Sequence, residues 1–105
     1  RETATGAVAP AQRLVRLLQD DRGGIQTLGL SAGSASGLHT ALQERPLATA
    51  ARLAERTGLS IPAVNKTLGA MEGAGIVREI TGRRRDRLYS YADYLRILSE
   101  GTEPL

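Results

Sequence analysis

Apolar positions recur at helical spacing through most of this chain and switch to a strand-like pattern only near residue 76. Leu14, Leu17 and Leu18 stand at i, i+3 and i+4, with Val8, Ala11 and Val15 beside them. That spacing predicts a first helix over Glu2–Asp21. Pro10 suits the start of such a helix, where a missing N–H does no harm. Asp20-Asp21-Arg22-Gly23-Gly24 predicts its stop. Ile25, Leu28, Ala32, Ala35, Leu38 and Leu42 then form one stripe, predicting a second helix over Ile25–Glu44. Gly29, Gly33 and Gly37 recur within it every four residues. Each costs about 1 kcal/mol relative to alanine in a helix. The ladder therefore predicts close backbone approach to another helix, either the first helix or the same helix of a second copy. Arg45-Pro46 ends the pattern, because a residue before proline avoids the helical region.

From Thr49 onward the punctuation is denser. Thr49 is placed to cap a short helix reaching Thr57, with Ala50, Leu53 and Ala54 on its buried face. Gly58 fits the left-handed position that closes it. Ser60 is placed to cap the next helix, and Pro62 falls in its first turn. Ile61, Val64, Leu68 and Met71 recur as a buried stripe, which Gly73-Ala74-Gly75 stops. Ile76–Thr81 and Arg87–Tyr91 read as two strands, joined through Thr81–Asp86 with Gly82. Tyr91–Ser99 closes as a helix carrying Tyr94, Leu95, Ile97 and Leu98, and Gly101–Leu105 reads as a loose end. Helix, turn, helix and hairpin in that order predict a winged helix-turn-helix. The expected fold is mainly α with a small β-hairpin, preceded by two helices and followed by a C-terminal helix. It divides into an N-terminal helical pair, 1–45, and a winged helix, 46–105.

Composition narrows the picture. With 105 residues the chain makes one modest domain. Phe and Trp are absent, so Leu, Ile, Val and Ala must build the core, which suits packed helices. There is no cysteine, hence no disulfide and no thiolate metal site. No apolar run approaches the roughly 20 residues of a membrane span, and no signal peptide is visible, so a cytoplasmic location is expected. The sequence begins at Arg1 and reads as a piece of a longer protein.

Charge changes the picture more. The net charge is +3. Between Ser60 and Tyr91, Lys66, Arg78, Arg83, Arg84, Arg85 and Arg87 face only Glu72, Glu79 and Asp86, so this window carries all of it. A local basic patch on a helix-turn-helix points to duplex DNA. Asn65 has the geometry to pair with an adenine edge, Lys66 to reach guanine or phosphate, and Ala63 to touch a thymine methyl. The N–H groups near Ser60 suit a phosphate. Arg83, Arg84, Arg85 and Arg87 would lie over the backbone or the minor groove.

Other residue types offer little chemistry. His39 is the only histidine, with no ligand at metal spacing, and reads as a partly exposed helix residue with no catalytic or metal role. The acidic residues are scattered, and no cofactor is implied. Tyr89 and Tyr91 share one strand face and are expected to pack against a helix with their hydroxyls at the surface. The alternative to DNA binding is a protein-interaction or dimerisation module working through the N-terminal helices.

One stretch is more specific. Val64-Asn65-Lys66, Gly75-Ile76-Val77, Glu79, Thr81-Gly82, Arg85, Arg87, Tyr91 and Tyr94-Leu95-Arg96-Ile97-Leu98 resemble the C-terminal winged helix of Fic-family proteins. Glu2-Thr3-Ala4 and the following helices resemble the segment joining that module to the Fic core, so the resemblance covers nearly the whole chain. It departs at Ala63, where threonine is usual, and at Asp86, where a neutral residue is common. It implies a regulatory module attached to a Fic catalytic core that transfers AMP or a related group to protein hydroxyls; docking on that core is the corresponding alternative function. The family's His-Pro-Phe-x-x-Gly-Asn-Gly-Arg loop is absent, and His39 is followed by Thr40-Ala41. The resemblance therefore implies no enzyme activity in these residues. Glu79, Thr81 and Gly82 are expected to serve hairpin geometry and a salt bridge to an arginine.

Overall fold

A computed structural model describes residues 9–102. In chain order the elements are α1 (Pro10–Gln26), α2 (Ala32–Glu44), β1 (Leu47–Thr49), α3 (Ala50–Thr57), α4 (Ile61–Gly73), β2 (Arg78–Glu79), β3 (Leu88–Ser90) and α5 (Ala92–Thr102). The strands form one antiparallel sheet in the order β1-β3-β2. The expected mainly helical fold with a small sheet is present.

The N-terminal half departs most from its sequence reading. Pro10 is the first residue of α1, and the expected residues before Ala9 lie outside the described ones. The helix runs through Gly23 and Gly24 instead of stopping there. A glycine pair costs helix stability without forcing a stop. The break needs a left-handed backbone, which Gly29 supplies at φ 70°. Ile25 is consequently the last core residue of α1, not the first of α2. Ser31 then starts α2, its Oγ accepting the Ser34 N–H at 3.3 Å. The glycine ladder dissolves as well. Gly29 lies in the turn, and a Cβ placed at Gly33 or Gly37 would meet nothing within 4 Å. Neither glycine marks a close helix approach within the chain.

The helix-turn-helix forms where its punctuation stands. Thr49 Oγ1 accepts the Arg52 N–H at 3.2 Å, and Gly58 closes α3 at φ 77°. Ser60 Oγ accepts the Ala63 N–H at 3.2 Å. The buried stripe of α4 is Val64, Thr67, Leu68 and Met71. Ile61, expected in that stripe, is 49% exposed. It is the first residue of α4, one turn beyond the packed layer. Thr67 tolerates burial because its hydroxyl donates to the Ala63 carbonyl at 2.9 Å.

The sheet is shorter than expected on one side and gains a strand on the other. Ile76 and Val77 are core residues outside the ladder, and only Arg78 and Glu79 pair with β3. β1 pairs with β3 as Leu47↔Ser90, Ala48↔Tyr89 and Thr49↔Leu88. Three residues, the last of them the cap of α3, are too few to show alternation. Gly101 and Thr102 belong to α5, and the remainder of the expected loose end, 103–105, lies outside the described residues.

Leu38, Leu42, Leu53, Val64, Leu68, Met71 and Tyr91 are the largest fully buried side chains. Residues of α2, α3 and α4 thus share one core, each large side chain contributing about 1.5–3 kcal/mol of burial. α1 packs along α5, and Arg13 of α1 pairs with Glu100 of α5.

Two polar residues are deeper than the sequence suggested. His39 is 4% exposed, not partly exposed. Tyr91 is fully buried together with its hydroxyl, which donates to Asp21 Oδ2 at 2.6 Å and lies 2.9 Å from His39 Nε2. Tyr91 also stacks on Tyr94 with ring centroids 5.1 Å apart. The packing of α1 over the α2–α5 junction buries both rings.

Candidate nucleic-acid interface

The exposed face of α4 and the loop 80–87 converge on one groove. It is lined by Ile61 and Asn65 of α4, by Arg84, Arg85, Asp86 and Arg87 of the loop, and by Thr49, Ala50 and Ala51 at the start of α3. Asn65, Lys66, Arg84 and Arg85 are exposed, and among the described residues their side chains make no hydrogen bond or ion pair. They are free to meet a ligand without breaking anything.

The other two arginines are committed to the loop. Arg83 donates to the Asp86 carbonyl at 3.3 Å, and Arg87 Nε donates to the Arg83 carbonyl at 2.6 Å. These bonds curl the tip and aim Arg84 and Arg85 outward. Asp86 takes φ 52°, a left-handed conformation that aspartate tolerates better than most residues.

Glu79 organises the whole loop. Its carboxylate accepts the Thr81 hydroxyl at 2.6 Å, the Thr81 N–H at 3.1 Å, the Gly82 N–H at 2.7 Å and the Leu88 N–H at 3.0 Å. These donors, with the Thr81 hydroxyl foremost, hold its carboxyl down to about 2 against an ordinary 4.5. The expected salt bridge from this glutamate to an arginine does not form; backbone donors take both oxygens. The loop backbone is thereby pinned at both ends, at 81–82 and at 88, by one side chain.

At the start of α4 the amide supply is thin. Ser60 Oγ takes the Ala63 N–H, Pro62 has none, and the Val64 N–H bonds the Ser60 carbonyl at 3.0 Å. The Ile61 N–H has no acceptor among the described residues. Ala63 is half-buried and Ser60 exposed. Sequence reading missed Ile61 as a groove residue because helical spacing assigned it to the core. It also missed Thr49–Ala51, because their exposure depends on β1 turning the chain into α3.

The order α2, β1, α3, α4, β2, loop, β3 is that of a three-helix module with a β-wing. Residues 37–78 match a family model described as winged helix-turn-helix DNA-binding. The module is a winged helix-turn-helix. The match begins inside α2 and ends in β2, before the wing tip, so the arginines stand outside it. Neither the curated proteins nor the solved structures contain a match to this chain. Among the described residues no group of three His, Cys, Asp or Glu side chains is placed to hold a metal ion, and no helix is long and apolar enough to cross a membrane.

Proposed function

We propose that the winged helix binds duplex DNA, with Asn65 and Lys66 of α4 reading the major groove and the wing held on the backbone or in the minor groove. One observation carries this reading: uncommitted Asn65, Arg84 and Arg85 line a single groove. Ser60 and Ala63 sit beside the groove residue Ile61 at the start of α4, where the Ile61 amide suits a phosphate and the Ala63 methyl a thymine. Arg83 and Arg87 contribute chiefly by shaping the tip. Affinity is dominated by the wing, with modest sequence discrimination from the helix.

The test is fluorescence anisotropy on random-sequence duplexes across a salt series. Binding weakens steeply with salt, and replacing both Arg84 and Arg85 by alanine lowers the log–log slope by about 2. Absence of binding at low salt, or an unchanged slope in the double variant, overturns the reading.

The finer placement, as the C-terminal region of a Fic-family protein, rests on the sequence resemblance through Val64-Asn65-Lys66, Glu79, Thr81-Gly82 and Tyr94-Leu95. On that placement AMP transfer belongs to the rest of the parent chain, and α1 leads from its core into the winged helix. The second reading, docking or dimerisation through the N-terminal helices, keeps only part of its motivating ladder: Gly29 lies in the turn, while Gly33 and Gly37 are uncovered within the chain.

A further inference from the structure

A cleft of about 390 Å³ lies between α1 and α2, and none of its lining residues belongs to the wing groove. Its volume falls at the small end of the roughly 300–1,000 Å³ typical of small-molecule sites. Ile25, Leu30 and Ala35 give it apolar walls, while Arg22, Thr40 and Gln43 supply polar ones.

His39 also lines this cleft and is 4% exposed. The hydrogen-bond network around it decides its tautomer. The single Tyr91 hydroxyl proton goes to Asp21 Oδ2 at 2.6 Å. The Tyr91 oxygen therefore accepts at 2.9 Å from His39 Nε2–H. In the neutral ring Nδ1 is then an acceptor, and it has no partner among the described residues. A buried acceptor left unpaired costs about 1–3 kcal/mol, which a bound donor recovers. Arg22 is exposed and makes no ion pair among the described residues. Its planar guanidinium matches a carboxylate.

We propose that this cleft binds a small organic monocarboxylate carrying a hydroxyl donor, with the carboxylate on Arg22, the hydroxyl on His39 Nδ1 and an apolar body between them. Arg22 and His39 line the same cleft together with the apolar side chains of Ile25, Leu30 and Ala35. Burial depresses the His39 pKa, so the ring stays neutral and keeps its acceptor. The proposal is independent of DNA binding.

The experiment titrates 4-hydroxyphenylacetate and 4-hydroxybenzoate into the isotope-labelled chain, followed by amide and imidazole NMR shifts. Phenol and phenylacetate, each lacking one polar group, are the reference probes. At least one hydroxy acid gives saturable shifts centred on Ile25, Ala35, His39 and Gln43, and each reference probe binds about tenfold more weakly. Arg22→Ala, a surface change that leaves the core intact, weakens that acid by about tenfold and leaves phenol unchanged. The proposal is overturned if neither acid gives saturable shifts, if the shifts map elsewhere, or if Arg22→Ala has no effect.

Discussion

Glu79 and Asp21 are both carboxylates that tie distant segments together, yet their surroundings push them in opposite directions. Glu79 accepts bonds from the Thr81 hydroxyl and three loop amides, which favour its charged form. Asp21 is desolvated beneath the α1–α2 packing, which raises its pKa against the lowering effects of Tyr91 and His39. One carboxylate uses its charge to order a loop at the surface. The other belongs to a three-residue network that joins α1, α2 and the start of α5 in the interior. The contrast shows that hydrogen-bond donors and burial, not residue type, set what an acidic residue does.

Breaking the interior network has the largest expected effect. Tyr91→Phe removes one hydroxyl and strands both Asp21 and His39, costing about 2–3 kcal/mol in urea unfolding, with little change in DNA affinity. A loss as small as a surface substitution would mean the network is not a tie. At the surface the pattern reverses. Glu79→Gln keeps the shape but loses the charge, so the wing loosens. DNA binding weakens by roughly two- to tenfold, the cost of ordering a loop on contact, while global unfolding hardly moves. Unchanged affinity would show that the wing needs no clamp.

A smaller change calibrates the two. Gly37→Ala in α2 touches neither carboxylate and enters open space. It stabilises the chain by about 0.5–1 kcal/mol through helix propensity, measured by the same urea titration. Proton titration gives the smallest but sharpest test. The depressed folded pKa of Glu79 makes its contribution full above its ordinary 4.5 and lost as pH falls toward about 2. For Asp21 the sign is opposite: its contribution is full below its ordinary 3.8 and fades as pH rises through the raised folded value. Carboxyl NMR shifts across an acid titration place Glu79 below and Asp21 above their ordinary values; coincident midpoints would erase the contrast.

The helix-turn-helix was legible because its signals are local. Thr49, Gly58, Ser60, Pro62 and Gly75 act through their own backbone within a few residues, so sequence order places them directly. The break between α1 and α2 was not, because Gly23, Gly24 and Gly29 look alike in a sequence and differ only in φ. β1 is too short for alternation, and its existence depends on β3 arriving from forty residues downstream. The fate of His39 was equally hidden. A lone histidine on a helix becomes a core residue only when Tyr91 and Asp21 come to meet it. At the candidate interface, the arginines expected at the tip do fall in the loop between β2 and β3, but a count says nothing of their individual roles. It could not separate Arg84 and Arg85, which point out, from Arg83 and Arg87, which hold the tip together.

Asp86 carries a consequence for how this surface can change over time. Its left-handed backbone accounts physically for an acidic residue in the middle of a basic tip: aspartate tolerates that conformation, and the negative charge comes with it. Asparagine tolerates the same conformation without the charge, and an aspartate codon becomes an asparagine codon by a single base change. A tip whose arginines meet no acidic neighbour within the loop 80–87 therefore lies one mutational step from the present sequence.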